Sequence, residues 1–209
     1  MRCLLIAGSP QCSSEFIKTQ YKSDDYVVCA DKGYEFCKKA RISPNLIVGD
    51  FDSNKEKLPD TADIIRLNPV KDDTDTLSAI KEAVKRGCDK FLILGALGGR
   101  LDHTYANLSL LLFLEKNNYK AEIKTEDETV RIIVNKSAVL ENVKGKTFSV
   151  FPFGCESVEV SYNGKVAYPA QNYKMTSYFP VGISNVFLEE NAEIKVNKGN
   201  AVLIINNNF

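Results

Sequence analysis

The sequence predicts an α/β chain in two parts: an N-terminal α/β/α domain on a mainly parallel sheet, followed by a C-terminal all-β sandwich. Three observations predict it. Up to about residue 125, short apolar runs alternate with helical patterns, as in βαβ units. After Tyr119 the texture changes to strands of alternating character separated by turn residues. At 209 residues and 44% apolar composition, the chain has ample material for a core. The boundary is expected at residue 128, giving domains 1–128 and 129–209.

Taken in order, the first-domain strands are expected at Cys3 to Ala7, Tyr26 to Ala30, Leu46 to Val48, Ile64 to Leu67 and Phe91 to Leu94. The clearest helix runs from Asp75 to Arg86. There Leu77, Ile80, Ala83 and Val84 form one apolar stripe, and Gly87 supplies the stop. A second helix runs from His103 to Lys116. Its leucines face nearly all directions, which predicts burial between the sheet and another surface, a dimer interface being one candidate. In the second half, strands are expected at Thr129 to Val134, Thr147 to Phe151, Ser157 to Ser161 and Ala201 to Ile205. Asn163-Gly164 signals a two-residue hairpin and Asn197 to Asn200 a further turn.

Charge and cysteine usage narrow the function. Lys plus Arg (27) equals Asp plus Glu (27), so nothing favours the counterion release on which nucleic-acid binding relies. The six cysteines form no C-x-x-C pair and His103 is the single histidine, which argues against structural zinc. Cysteines inside predicted buried strands read as reduced thiols, and the expected location is cytoplasmic. The apolar stretch Cys3 to Ala7 is too short for a signal sequence, and no window approaches the roughly 20 apolar residues of a membrane span. Neither nucleic acid nor membrane is an expected partner.

The chemistry gathers at strand ends. Asp50 and Asp52 follow the apolar run Leu46-Ile47-Val48-Gly49, and alternate residues of an extended chain share a face. Asp31 ends the second strand and Asp102 follows the glycine-rich turn after the fifth. In an open parallel sheet, ligands bind beyond the carboxyl ends of the strands. Lys71-Asp72-Asp73-Thr74-Asp75 precedes the clearest helix. Capping and the helix dipole explain one or two of these residues, but not three acids in four positions. Asp72 and Asp75, three apart, would share a side of a first helical turn. Together Asp31, Asp50, Asp52, Asp72 and Asp75 place five carboxylates at one rim, a congestion that cations relieve. All-oxygen ligands favour Mg²⁺, which binds through a few carboxylates plus substrate phosphates, so the expected substrate is a nucleoside polyphosphate. No Walker A sequence is present. Gly95 to Arg100 offers backbone amides and a guanidinium to phosphate, with Gly98, Gly99 and Arg100 as the contacts. His103 reads as a helix-start residue, and no Ser, His, Asp triad is visible.

Five segments in this order resemble the thiamine pyrophosphokinase family: Ala30-Asp31-Lys32-Gly33, Gly49-Asp50-Phe51-Asp52-Ser53, Lys71 to Asp75, Gly98-Gly99-Arg100-Leu101-Asp102-His103 with Asn107, and Gly182-Ile183-Ser184-Asn185. The resemblance covers nearly the whole chain. It implies transfer of the pyrophosphoryl group of ATP to the hydroxyethyl oxygen of thiamine, giving thiamine diphosphate and AMP. It further implies that Asp50, Asp52, Asp75, Arg100 and Asp102 are catalytic. Asp31, Asp50, Asp52, Asp72 and Asp75 would hold Mg²⁺. Thr176, Ser177, Ser184 and Asn185 would meet thiamine, in a homodimer whose thiamine site lies at the subunit interface. Asp75 and Asp102 are both candidates for a general base. Val186 departs from the acidic or polar residue common in the family, and with no tryptophan in the chain a stacking partner is expected in Tyr178 or Phe179. A Mg²⁺-dependent nucleotide phosphohydrolase is the alternative enzyme, and a thiamine sensor the alternative binder. The first would release nucleotide products without thiamine; the second would turn nothing over.

Overall fold

A computed structural model of the chain describes residues 1–50, 58–68 and 72–207, so Asp52 and Lys71 lie outside the described residues. The chain divides into two compact units: Met1–Leu110 with Tyr119–Glu126, and Leu111–Asn118 with Asp127–Phe209.

The first unit is built on six strands: β1 (Arg2–Ile6), β2 (Tyr26–Ala30), β3 (Leu46–Gly49), β4 (Asp63–Arg66), β5 (Lys90–Leu94) and β6 (Lys120–Lys124). They pair in the order β6-β5-β1-β2-β3-β4, and every neighbouring pair is parallel. The five strands expected from apolar runs all form. The sixth has the polar pattern Lys-Ala-Glu-Ile-Lys with only Ile123 fully buried, so its strand character comes from docking beside β5. Leu4, Leu5, Ile6, Ile47 and Ile93 are fully excluded from solvent. Adjacent residues of one strand point to opposite faces, so both faces of this sheet are covered, as parallel sheets require. Each such side chain contributes about 2 kcal/mol by leaving water.

Among the described residues four helices connect the strands: α1 (Ser14–Gln20), α2 (Gly33–Lys39), α3 (Asp75–Lys85) and α4 (Leu101–Lys116). Thr74 caps α3, its Oγ1 accepting from the Leu77 amide at 3.2 Å, so the helix starts at Asp75 and Asp72 lies in the preceding turn. The shared helical face expected of Asp72 and Asp75 therefore does not form. Asp73 turns along the helix to an ion pair with Lys81 at 2.6 Å. At the opposite end of the sheet, the Arg2 guanidinium donates two hydrogen bonds of 2.6 Å to the Asp25 carboxylate and one to the Gln20 carbonyl, joining β1 to the turn before β2. The fit of α2 against β1 depends on Gly33: a Cβ there would run into the Ile6 carbonyl.

The second unit contains β7 (Glu128–Val134), β8 (Ser137–Glu141), β9 (Thr147–Pro152), β10 (Ser157–Asn163), β11 (Tyr173–Thr176), β12 (Asn185–Val186), β13 (Asn191–Lys198) and β14 (Asn200–Asn206). They pair antiparallel as β12-β9-β14-β7 and β11-β10-β13-β8. Phe148, Val150, Phe187, Ile194 and Leu203 are among the residues of one buried cluster in this sandwich. Phe148 stacks on Phe187 (4.1 Å, 20°) and meets Tyr162 edge-on (5.3 Å, 84°). The chain changes sheet at two corners, Asn135 and Gly199, and these are tied together. The Gly199 amide donates to Asn135 Oδ1 (2.8 Å), and the Asn135 amide to the Gly199 carbonyl (3.2 Å).

The tight hairpin expected at Asn163-Gly164 is replaced by a loop from Gly164 to Asn172, with β11 as the antiparallel partner of β10. The physical reason is a competing set of bonds. The Tyr162 amide donates to the Ala170 carbonyl, Val166 bridges to Phe187, and the Asn172 amide donates to Ser161 Oγ.

Replacement of Gly33 by Ala should lower stability by about 1–3 kcal/mol, because the new methyl meets backbone rather than a movable side chain. Urea unfolding would measure this as a lower midpoint with an unchanged slope.

Candidate active site

Strand order places the site. From β1 the chain steps through β2, β3 and β4 in one direction, whereas β5 and β6 lie on the other side of β1. The segments leaving β1 and β5 therefore diverge, and a crevice opens beyond their carboxyl ends. A cleft of about 320 Å³ is found there. Gly8, Ser9 and Pro10 line it from the β1 end, Asp31 and Lys32 from the β2 end, and Gly95, Ala96 and Gly98 from the β5 end. Thr74, Asp75 and Thr76 enter from the start of α3, and Arg100, His103 and Asn107 from the turn before α4 and the helix itself.

The walls are fixed by hydrogen bonds between the two diverging loops. The Ser9 amide donates to the Gly95 carbonyl (2.9 Å), and Ser9 Oγ donates to the carbonyls of Leu97 (2.5 Å) and Gly98 (3.2 Å). Asn107 is buried and donates from Nδ2 to the Ala96 carbonyl at 2.8 Å. The sequence reading missed Gly8 to Pro10, Lys32, Thr74 and Thr76, and gave Asn107 no role. Gly8 to Pro10 could have been found, since they follow the first strand as Asp50 follows the third.

Asp31 is the most constrained acid. It is half-buried, adopts a left-handed conformation (φ 48°) and donates its amide to the Val48 carbonyl at 2.9 Å. Burial, then the charges of Asp75 and Asp50, hold its pKa above the ordinary carboxylate value. Three of the predicted carboxylates are thus close enough to feel one another. Asp72 is exposed in the turn before α3. Arg100 is exposed and paired with Asp102, Nε donating to Oδ1 (3.1 Å) and Nη2 to Oδ2 (2.5 Å). The guanidinium holds the Asp102 carboxyl below its usual range. Asp102 also accepts from the His103 amide at 2.9 Å, so its first contacts are with Arg100 and the start of α4.

A second cavity, of about 430 Å³, lies in the sandwich unit. Its lining includes Gly182, Ile183, Ser184 and Asn185 together with Tyr162, Tyr168, Tyr173 and Met175. Gly182 is required here: at φ 90°, a Cβ would run into the Val150 carbonyl, and the Val150 amide donates to the Gly182 carbonyl at 2.8 Å. Ser184 is also left-handed (φ 56°), and its amide donates to Ser149 Oγ at 3.1 Å. Asn185 is buried. Its Oδ1 accepts from the amides of Tyr168 and Val186 (both 2.9 Å), and its Nδ2 donates to the Tyr168 carbonyl at 2.6 Å. Thr176 ends β11 and Ser177 follows it, the Ser177 amide donating to the Glu156 carbonyl. Neither lines the cavity, and neither do Tyr178 and Phe179, which are exposed beyond it. The aromatic rings that line it are Tyr162, Tyr168 and Tyr173, which the sequence reading did not single out as site residues.

The chain matches the family pattern described as "Thiamin pyrophosphokinase, catalytic domain" over residues 17–123, and "Thiamin pyrophosphokinase, vitamin B1 binding domain" over residues 129–201. It is 25% identical over 206 residues to a thiamine pyrophosphokinase of Bacillus subtilis, covering 96% of both chains. The crystal structure of thiamine pyrophosphokinase from Bacillus subtilis has the same fold, with a TM-score of 0.89, 24% identity and complete coverage of both chains. That of a thiamin pyrophosphokinase family protein from Enterococcus faecalis superposes with a TM-score of 0.82 at 26% identity, again over the whole of each chain. With a catalytic pattern on the crevice-bearing half and a vitamin-binding pattern on the sandwich half, this chain belongs to the thiamin pyrophosphokinase family and is an enzyme that makes thiamine diphosphate from thiamine.

Proposed function

We propose that the crevice of the parallel sheet takes the triphosphate of ATP and the sandwich cavity takes thiamine, so that the pyrophosphoryl group passes to the hydroxyethyl oxygen and AMP leaves. Residues 1–128 then form the catalytic domain and 129–209 the thiamine-binding domain. The observation that carries this reading is the pairing of two chemically different cavities, one walled by carboxylates, cations and glycine amides, the other by tyrosines and apolar side chains. The enzyme works as a homodimer with the thiamine site completed at the subunit interface, as the family resemblance implies, and in the cytoplasm. The six free thiols support a reducing compartment. Among the described residues no helix is long and apolar enough to cross a membrane.

The acidic rim suits Mg²⁺. Its donors are all oxygen, and burial, with smaller contributions from the charges of Asp75 and Asp50, raises the Asp31 pKa. Among the described residues no three His, Cys, Asp or Glu side chains form a ready-made coordination group. That agrees with an ion that keeps several waters and is shared between one or two carboxylates and phosphates. Asp31, Asp50 and Asp75 would hold it, with Asp52 and Asp72 as further ligands. When bound, the ion supplies charge stabilisation to the transferring phosphoryl oxygens.

The remaining work falls to the chain's own groups. Arg100, flanked by Gly98 and Gly99, is placed to receive phosphate oxygens, and Asp102 fixes the plane of its guanidinium. Lys32 adds a second cation at the same cleft. A loose phosphoryl transition state requires little deprotonation of the attacking alcohol, so catalysis rests on holding nucleophile and leaving group in line. Ser184 offers its hydroxyl to thiamine. Asn185 acts by clamping the Tyr168 backbone to the Ser184 turn.

Incubation with Mg·ATP and thiamine should release AMP one for one with thiamine diphosphate, read by chromatography of both products; nucleotide cleavage independent of thiamine would refute the assignment. Asp50→Asn and Asp75→Asn should each abolish turnover with circular dichroism unchanged, since neither opens a core cavity. Ser184→Ala should raise the thiamine KM more than it lowers kcat, as expected for binding shared by ground and transition states.

Asp31 gives a pH prediction with a definite sign. Its folded pKa lies above the unfolded one, so the native state binds its proton more tightly. Stability is then lost as pH rises from the ordinary carboxylate pKa, about 4, through the raised value. Asp31→Asn should therefore melt higher than the parent at neutral pH, with the difference closing in acid. Added Mg²⁺ should raise the melting temperature of the parent more than that of the variant.

A further inference from the structure

We infer that Tyr162 is a specificity-determining residue for thiamine, its hydroxyl forming a hydrogen bond with the aminopyrimidine at the inner wall of the sandwich cavity. The inference rests on the assignment of that cavity to thiamine.

Tyr162 is 6% exposed and lines the cavity. Its ring is fixed edge-on against Phe148 at 5.3 Å, and its amide is bonded to the Ala170 carbonyl at 2.9 Å, so neither backbone nor ring is free to withdraw. No group among the described residues hydrogen-bonds the phenol. Every fully buried side-chain nitrogen or oxygen among them has a partner, so the Tyr162 oxygen is one that solvent still reaches, and Tyr162 lines the cavity together with Tyr173, whose hydroxyl acts on it electrostatically. A buried phenol without a protein partner is unusual for tyrosine, whose hydroxyl normally finds one.

The identity of the missing partner follows from the wall chemistry. Among the described residues the cavity lining carries no charged side chain and offers hydroxyls, one carboxamide and aromatic rings. The uncharged aminopyrimidine is the end of thiamine that such a wall accommodates, and its ring nitrogens and amino group offer both an acceptor and a donor to a hydroxyl. Burial, with a smaller contribution from Tyr173, pushes the Tyr162 pKa up to about 12, which keeps the hydroxyl protonated and able to donate across the working range of pH.

Tyr162→Phe tests this directly. The ring and its contact with Phe148 are kept, and removing a hydroxyl without a partner among the described residues orphans none of their groups, so an unchanged melting temperature is expected. The thiamine KM should rise about three- to tenfold, the effect of one neutral hydrogen bond, and equilibrium dialysis with radiolabelled thiamine should show the same weakening. The KM for ATP should not move. An unchanged thiamine KM in Tyr162→Phe, alongside a raised one in Ser184→Ala, would overturn the role of Tyr162 and leave the cavity assignment standing. Unchanged values in both variants would overturn the cavity assignment itself.

Discussion

The crevice on which the catalytic half depends exists because β1 and β5 are neighbours whose following segments leave in opposite directions. Parallel pairing fixes both strands in register from Arg2 opposite Lys90 to Ile6 opposite Leu94, so their carboxyl ends come level and the two loops must part at the same height. Ser9 then spans the gap, bonding to carbonyls of the β5 loop, and Asn107 holds Ala96 from the helix side. The cleft is thus walled by backbone whose positions are set by hydrogen bonds within the chain, which in the proposed reading is what positions a phosphoryl chain.

Rigidity has an electrostatic cost at its rim. Asp31 is held half-buried in a left-handed conformation within reach of the charges of Asp50 and Asp75, so the ligand-free state carries an unfavourable concentration of charge. In the proposed reading, such a site trades stability of the empty fold for affinity toward a cation-bound polyphosphate. Arg100 and Asp102, by contrast, neutralise each other in the open, where pairing contributes little to stability. Their bidentate geometry fixes a direction for the guanidinium.

The sandwich solves a different problem. The cavity lies where the Gly164 to Asn172 loop, anchored in the core by Val166, meets the Gly182 to Asn185 turn, the two being joined through Asn185. An asparagine has enough donors and acceptors to bond two backbone segments at once, and a buried one so used fixes shape more than it binds ligand.

Much of this was legible in the amino-acid sequence. Buried parallel strands must be apolar on both faces, so β1, β2, β3 and β5 announced themselves, and acids at their ends pointed to the rim. The stripe of Leu77, Ile80 and Ala83 gave α3, because a helix buries one face at its own period. Strand β6 was not legible, since its polar pattern becomes a strand only when β5 is beside it. The shared face of Asp72 and Asp75 failed at Thr74, a cap whose position decides where the helix begins. The hairpin at Asn163-Gly164 yielded to more distant bonds from Ala170, Phe187 and Ser161. Local periodicity and strand-end chemistry, then, are properties of neighbouring residues, and the sequence alone determined them. Which tyrosines line the cavity, what Asn185 and Asn107 hold, and how Asp31 comes within reach of the charges of Asp50 and Asp75 depend on contacts between residues far apart in the chain, and only the tertiary structure decided those.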